Sequence, residues 1–323
     1  MGGAMNRSRL GICALALVAG VAGSALQALS QTKPPPTELK LALQPLTNYA
    51  NILLARDKGF FADENLNISW TTVSQGAWTV EAVYGGSVHF GGSGLIEPLI
   101  ARGNGLDLMF AVANGRIQPK PPDNNALMVR INDPINKAAD LAGKTVAAGL
   151  INSPNYLHMV HWLKKAGVDP KSVRFLELPF PQMADALYQK RLDAVWNVEP
   201  FVTIMMKSGQ ARIIAYPYQE NIPNMDITAI YARESWLKAN KDVALRFKRA
   251  VDRATNAFNA APKQERDEWV AKFTGVKPEL VAEMTLPQFV TEFNVPALKA
   301  NLELAVSQGV VKPFDIETLI WKP

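Results

Sequence analysis

Residues 85–105 read GGSVHFGGSGLIEPLIARGNG, and this stretch contains the unit from which the rest of the fold is predicted. Val88 and Phe90 alternate with His89, which is typical of a short strand over residues 87–90. The small residues 91–94 predict a sharp turn, and an apolar helix is expected to begin near Leu95 with Ser93 as its cap. Open α/β sheets bind ligands where a strand passes into a helix, so this loop is a candidate wall of a binding site. A tight turn that needs glycine only for steric reasons explains the same residues.

Strand and helix signals alternate along the chain on both sides of this stretch. Alternating apolar residues predict strands at 39–43 and 107–113, and a second series begins near residue 131 with a strand at 145–148. Such regular alternation predicts an α/β fold in which each series forms a doubly wound, mostly parallel sheet.

Two irregular segments, residues 114–125 and 216–226, separate the two series. They predict a chain that crosses twice between two lobes. We assign residues 38–127 and 228–323 to the first lobe, and residues 128–227 to the second. The cleft between two lobes is a preferred ligand site.

The N-terminus, residues 1–28, is predicted to be a signal peptide. Arg7 and Arg9 precede an apolar run that is too short to span a bilayer comfortably, and small residues allow cleavage after Ala25 or Ala28. An uncleaved membrane anchor is the alternative interpretation. Residues 29–37 are polar and rich in proline, which predicts an extended linker.

Composition favours a soluble globular protein and argues against several partners. The 323 residues are 48% hydrophobic and 20% charged, with a net charge of +5 and no block of basic residues, so no nucleic-acid partner is expected. The mild positive excess is compatible with an anionic ligand. Cys13 is the only cysteine and lies inside the predicted signal peptide, so the exported chain should contain neither disulfides nor thiolate metal ligands.

Patterns of known catalytic sites are missing from the sequence. Residues 91–94 lack the spacing of a nucleophile elbow, and neither a phosphate-binding lysine pattern nor a dinucleotide fingerprint occurs. His158 and His161 are spaced to share a helix face, but ordinary surface histidines explain them better than a metal site does. We therefore predict no enzyme, no metal and no cofactor.

Helix starts that follow strand ends should lie on one edge of each sheet, where their free N–H groups can meet a ligand. Ser153-Pro154 is the strongest such start, although plain capping is the alternative role of Ser153. Glu199 could accept a hydrogen bond from a ligand or simply complement its own helix dipole, and Arg116 could pair with an anion or remain solvated. Phe180 is expected in the core. The candidate ligand-binding residues from this reasoning are Tyr49, Gly76, Trp78, Ser93, Gly94, Arg116, Ser153, Asn155, Tyr156, Trp196 and Glu199.

Four segments resemble the solute-binding proteins of ABC importers in the NMT1/THI5-like group. Residues 54–61, LARDKGFF, followed by NLNI, resemble A-x-x-K-G-x-F-x-x-x-x-L-x-V. Residues 86–91, GSVHFG, resemble G-x-V-D-F-G, with His89 where an acid is usual. Residues 140–147, DLAGKTVA, resemble D-L-x-G-K-x-V-A. Residues 187–194, LYQKRLDA, resemble A-L-x-x-G-x-x-D-A, with Lys190 or Arg191 in place of the glycine.

This resemblance implies a two-lobed type II periplasmic-binding-protein fold. It also implies a monomeric periplasmic protein that captures a small organic anion, of sulfonate or carboxylate type and aromatic or aliphatic, for the permease and ATPase of an ABC importer. By analogy with the group, five further residues should contact the ligand or face the cleft: Gln44, Ser74, Gln75, Asn197 and Asp226. The alternatives are a binding protein for pyrimidine precursors of thiamine, an enzyme on the same fold, or a partner of a periplasmic sensor. The cysteine-rich motif of the pyrimidine-synthesising relatives is absent, which argues against that enzymatic branch.

Overall fold

Two mixed sheets organise the fold in the computed structural model, which describes residues 34–323. The predicted signal peptide and the predicted linker up to residue 33 lie outside the described residues. Residues 36–323 form one compact unit. The strands, in chain order, are Thr37–Leu43 (β1), Leu66–Thr72 (β2), Phe90–Gly94 (β3), Met109–Arg116 (β4), Asn125–Arg130 (β5), Thr145–Ala147 (β6), Arg174–Leu176 (β7), Ala194–Val198 (β8), Ala211–Ala215 (β9), Asp226–Ala232 (β10) and Gln288–Phe289 (β11).

Helices connect these strands and cover the sheets. Short 3-10 turns occur at Thr47–Tyr49, Ala138–Leu141, Pro170–Ser172 and Ile316–Leu319. The α-helices are Ala50–Asp57 (α1), Phe60–Asp63 (α2), Gly76–Tyr84 (α3), Ile96–Gly103 (α4), Pro154–Lys165 (α5), Phe180–Tyr188 (α6), Phe201–Lys207 (α7), Pro217–Asn221 (α8), Glu234–Ala239 (α9), Lys241–Ala260 (α10), Lys263–Thr274 (α11), Pro278–Val281 (α12) and Val295–Ser307 (α13).

Most strands of each sheet run in the same direction. The first sheet has the order β11-β4-β10-β3-β1-β2, and the second has the order β7-β6-β8-β5-β9. Strands β1 to β4 run the same way, since β1 pairs in parallel with β2 and β3, and both β3 and β4 pair antiparallel with β10. In the second sheet β5 is the strand that runs against its neighbours. Two of the reversed strands, β5 and β10, directly follow the two crossings of the chain, and the third is the short edge strand β11.

The stretch at residues 85–105 folds differently from the prediction. The strand occupies Phe90–Gly94, so the glycines predicted to turn lie inside it. Gly91 and Gly92 pair with both β1 and β10, and Gly94 pairs with β10. A Cβ on Gly92 would lie 2.7 Å from side-chain atoms of Leu43 and Tyr49, and one on Gly91 would lie 2.8 Å from Val83. These glycines therefore allow side chains to pack closely against the strand backbone. Ser93 does not cap α4, whose first residue is preceded by Leu95 without a side-chain cap.

The core of the first sheet follows the alternation of the sequence. Leu39 and Leu41 are buried, while Lys40 between them is exposed. On this face Phe247 of α10 stacks on Phe90 of β3, with the ring centroids 4.1 Å apart. Such contacts explain why α10 carries a long apolar face in a helix that is otherwise rich in charge.

The crossings between the two sheets are tied together by an ion pair. The chain leaves the first sheet after Arg116 and returns to it at Asp226. Arg116 Nε donates to Asp226 Oδ1 at 2.6 Å, and Asp226 Oδ2 also accepts from the backbone N–H of Asn294. The first change of sheet thus falls between residues 116 and 125.

The C-terminal helix α13 touches both parts of the protein. It packs against α4, which follows the first sheet's β3, and against α5, which follows β6 of the second sheet. Asn301 of α13 hydrogen-bonds to His158 of α5 at 2.8 Å. His158 is fully buried, so the prediction of a surface histidine was wrong at this position. The tail was expected to cover the first lobe, and it also contacts the second.

No helix of the described part is long and apolar enough to cross a membrane. Within residues 34–323, no group of three or more His, Cys, Asp or Glu side chains could hold a metal ion.

Candidate functional site

A cleft of about 320 Å³ lies between the two sheets, at the edge where their strands end. On the side of the first sheet it is lined by loops that follow β1, β2 and β3. On the opposite side it is lined by residues 149–155, which lead from β6 into α5, and by Phe180 at the start of α6. Because parallel strands end at the same edge, these loops meet even though they are far apart in sequence.

Six of the sequence-predicted ligand-binding residues line this cleft. They are Gln44, Gln75, Gly76, Gly94, Ser153 and Asn155. Ser153 is the N-cap of α5 as predicted, and its Oγ accepts from the backbone N–H of Tyr156 at 3.3 Å. The same hydroxyl donates to the carbonyl of Ala148 at 3.1 Å, so it is already committed within the loop. Contact between any of these residues and a ligand stays a prediction.

Four other candidates are buried behind the cleft and do not line it: Tyr49, Ser93, Trp196 and Asn197. Tyr49 Oη donates to the carbonyl of Ser93 at 3.0 Å, and the ring of Trp196 packs edge-on against Tyr218. Asn197 uses its side chain within the second lobe, where its Oδ1 accepts from the N–H of Val198. Their aromatic and amide groups support the walls of the cleft from behind.

The remaining candidates lie elsewhere on the molecule. Ser74 and Trp78 are exposed and outside the lining, and Tyr156 packs against Phe175. Arg116 and Asp226 pair with each other at the crossings. Burial raises the pKa of the Asp226 carboxyl, and Arg116 opposes that shift.

Glu199 faces a different cavity, of about 230 Å³, beside Asp123. Its two carboxylate oxygens accept from the backbone N–H and the hydroxyl of Thr203. Burial raises the pKa of Glu199 to about 7, in spite of these hydrogen bonds. The first of the two readings of Glu199, a direct ligand contact in the cleft, is therefore not supported by its position.

Four residues that shape the cleft were not among the predicted ligand-binding residues: Asn48, Glu97, Phe180 and Tyr218. Phe180 was expected in the core, yet it forms part of the cleft wall. Glu97 stands within the quoted stretch, in the first turn of α4, where an acid is usually explained by the helix dipole. Asn48 lies directly before Tyr49, and no local sequence pattern indicates that Asn48 lines the cleft.

Three polar atoms of cleft-lining residues are buried without a hydrogen-bond partner. Two are donors from opposite sides of the cleft, Asn48 Nδ2 and Asn155 Nδ2, and the third is the acceptor Glu97 Oε2. The other oxygen of the Asn155 amide accepts from Tyr218 Oη at 2.9 Å, which fixes the orientation of this side chain. Buried polar atoms are nearly always paired in folded proteins, so unpaired atoms in a cleft indicate where a ligand's own polar groups belong.

The described lining of the cleft lacks the basic side chains that are typical of an anion-binding site. Among the described residues, those lining the cleft include no Lys, Arg or His, and they include the acids Glu81 and Glu97. Burial raises the pKa of Glu97 to about 7, and its own backbone N–H partly opposes the shift. An anion would therefore have to be held by amide and backbone N–H groups, such as those of the first turn of α5.

Comparison with known proteins agrees with the fold. The sequence model described as NMT1/THI5 like matches residues 46–265. An ABC transporter periplasmic binding protein of Brachyspira hyodysenteriae is 28% identical over 190 residues, which cover 56% of this chain and 54% of that protein. The chain thus aligns with only about half the length of that relative. A protein of Escherichia coli named for binding aliphatic sulfonates is 28% identical over 267 residues, or 79% of this chain and 80% of the relative.

The crystal structure of the periplasmic aliphatic sulphonate binding protein SsuA from Escherichia coli has the same fold. It superposes with a TM-score of 0.73 and 20% sequence identity, and the match covers 88% of this chain and 98% of that chain. This likeness confirms the two-lobed periplasmic-binding-protein fold predicted from the sequence.

Proposed function

Because this chain belongs to the NMT1/THI5-like family, we propose that it is the periplasmic solute-binding component of an ABC importer. In this proposal the protein is exported by a cleaved signal peptide and acts as a monomer. It captures a small organic anion, of sulfonate or carboxylate type, in the cleft between its sheets and delivers it to a membrane permease with its ATPase. The relatives named above are binding proteins, which supports a receptor rather than an enzyme.

The observation that carries this proposal is a pair of unpartnered amide donors on two residues that line the cleft from opposite sides. Asn48 Nδ2 follows β1 of the first sheet, and Asn155 Nδ2 lies in the first turn of α5 beside the second sheet. An acceptor group of the solute that pairs with both donors would favour the arrangement that brings the two sides together. Closure would then be a shift in population driven by the solute.

The walls of the cleft fit an organic body attached to that acceptor group. Phe180, Tyr218, Leu46, Val80 and Ile100 contribute apolar surface to the lining. A volume of about 320 Å³ is at the lower end of the usual range for small-molecule sites. Both observations favour a compact aliphatic or aromatic solute.

A thermal-shift screen of the purified mature protein tests this function. Sulfonates, aromatic carboxylates, nitrate and pyrimidines are compared, and hits are measured by calorimetry. Asn48→Ala and Asn155→Ala should each weaken a bound anion by about tenfold or more, because a buried partner is lost. Asn67→Ala is the matched control, since this amide bonds to Glu38 on β1 away from the cleft.

The receptor function is contradicted if no compound of the panel stabilises the protein while turnover of a candidate substrate is detected. If the Asn67 variant loses as much affinity as the two cleft variants, the assignment of Asn48 and Asn155 to the binding site is wrong. A preference for pyrimidines over every anion would replace the proposed ligand class and keep the transport role.

A further inference from the structure

Oε2 of Glu97 is the buried side-chain acceptor of the described cleft lining that lacks a hydrogen-bond partner. Glu97 lines the cleft and is partly exposed there, while its Oε2 is buried and receives no hydrogen bond from any described residue. A carboxyl group turns readily about its last bond, so either oxygen can be presented to the cleft. The charge is thus placed beside the space a solute would occupy.

The backbone around this carboxyl group is shaped to accommodate it. A Cβ on Gly76 would lie 2.5 Å from Glu97 Oε1, and a Cβ on Gly94 would lie 2.9 Å from Glu97 Oε2. Both glycines therefore leave room for the carboxyl group, one at the start of α3 and the other at the end of β3. A side chain that served only the dipole of α4 would not require this space on two neighbouring elements.

The titratable groups near Glu97 do not neutralise it. Tyr49, Tyr218 and Tyr231 are close enough for Glu97 to raise the pKa of each, after the larger effect of burial. Glu81 is the other acid of the lining, and it is exposed. As the cleft-lining part of the described chain contributes no Lys, Arg or His, a positively charged partner of Glu97 would have to come from the solute.

We propose that Glu97 is a binding residue of the cleft and that the solute carries an N–H donor, as an ammonium or an amino group on a ring, in addition to its acceptor group. The proposal rests on the solute-binding function argued above and specifies the ligand class of the same site. The donor of the solute would meet Glu97, while its acceptor group meets Asn48 and Asn155. A hydrogen bond to an ionised carboxylate is among the stronger polar contacts in proteins, which makes Glu97 a determinant of specificity.

Matched pairs of probes test the inference. One pair is 2-aminoethanesulfonate against ethanesulfonate, and the other is 4-amino-2-methylpyrimidine against 2-methylpyrimidine. Calorimetry at pH 8 should show at least tenfold tighter binding of the amino compound in one pair. The pair that responds distinguishes an aminosulfonate from an aminated heterocycle as the source of the donor.

Glu97→Gln should remove most of that preference, lowering affinity for the amino probe by about tenfold to hundredfold. Glu303→Gln is the matched control, as it removes the same charge from an exposed acid of α13 outside the cleft lining and should leave the affinity unchanged. Between pH 6 and pH 8 the affinity of the wild-type protein for 2-aminoethanesulfonate should rise about tenfold as Glu97 ionises, and that of the Glu97 variant should stay constant.

The inference is overturned if neither amino probe binds, if the amine-free probes bind equally well, or if Glu97→Gln and Glu303→Gln behave alike. It is also overturned if affinity rises toward low pH, which would mean that a protonated Glu97 donates to an anion. Binding of ethanesulfonate or another anion in these cases leaves the transport function standing. Failure of the whole panel, by contrast, counts against the transport function itself.

Discussion

Three unpaired polar atoms define the candidate site more narrowly than the loops predicted from the sequence. Asn48 Nδ2, Asn155 Nδ2 and Glu97 Oε2 are unpaired and belong to residues that line one cleft. Leaving a buried polar atom unpaired costs about 1–3 kcal/mol, and more if the group is charged. The ligand-free protein therefore gives up stability at these positions, and a bound solute with matching groups would recover it.

Glu97→Gln should stabilise the ligand-free protein at high pH. The pKa of Glu97 is raised to about 7, so the folded state binds a proton more tightly than the unfolded state, and stability is lost as pH rises from about 4.5 to about 7. At pH 8 the variant should gain up to about 3 kcal/mol, and below pH 4.5 the two proteins should converge. Urea unfolding at both pH values measures this difference. Equal stability of the two proteins at pH 8 would show that Glu97 is not destabilised by burial.

Strand β3 shows two uses of glycine within five residues. Gly91 and Gly92 admit the side chains of the core, whereas Gly94 faces the second lobe. A Cβ on Gly94 would lie 2.6 Å from Cγ of Pro154, the first residue of α5. The end of β3 and the start of α5 thus meet across the cleft, and this close approach depends on the absence of a side chain.

Gly94→Ala and Gly92→Ala should therefore affect different quantities. The first should hold the two sides of the cleft apart and weaken solute binding by about tenfold, with a smaller loss of stability than Gly92→Ala, since its methyl group meets Pro154 and Glu97 Oε2. The second should lower stability by about 1–3 kcal/mol, because a methyl group is forced against Leu43 and Tyr49. Calorimetry and urea unfolding of both variants measure the two quantities. The assignment fails if Gly94→Ala binds normally while unfolding as easily as Gly92→Ala.

The compact unit 36–323 is held together by contacts between segments that are remote in sequence. The ring of His158 in α5 hydrogen-bonds to Asn301 of α13. The side-chain amide of Asn221 in α8 donates to the backbone carbonyl of His158. Tyr218 packs edge-on against the same ring. Movement of the two sheets relative to each other must therefore preserve or rearrange the packing around this histidine, since packed interiors do not deform continuously.

Acid should destabilise the protein through His158. Burial lowers its pKa to about 4, and the hydrogen bond to Asn301 opposes that shift only in part. The folded state thus excludes a proton that the unfolded state binds, and about 3 kcal/mol should be lost as pH falls from 6.5 to 4. Unfolding of the wild type and His158→Gln across this range measures the loss. His161→Gln, at a partly exposed position, should retain it. An identical acid response of His158→Gln and the wild type would refute the assignment.

Much of the fold could be predicted from the sequence because it depends on local patterns. Alternating leucines placed β1, Ser153-Pro154 marked the start of α5, and Gly167 was expected to end that helix region, where it has a positive φ. Lys190 also has a positive φ, so it is the residue that stands in the glycine's place in the fourth family segment. These features depend on residues that are close in the sequence, so the sequence pattern alone predicts them.

The site itself was decided by tertiary structure. Arg116 and Asp226 are 110 residues apart in the sequence and form an ion pair. The carbonyl of Ser93 accepts a hydrogen bond from the hydroxyl of Tyr49, which lies 44 residues away in the sequence. In the sequence, Glu97 is an ordinary acid in the first turn of a helix. The structure places its carboxyl group between Gly76 and Gly94, beside the cleft. The sequence determined which elements form, since their signals are local. Only the folded chain decided which polar atoms remain unpaired, because pairing depends on partners that the sheets bring together from distant parts of the sequence.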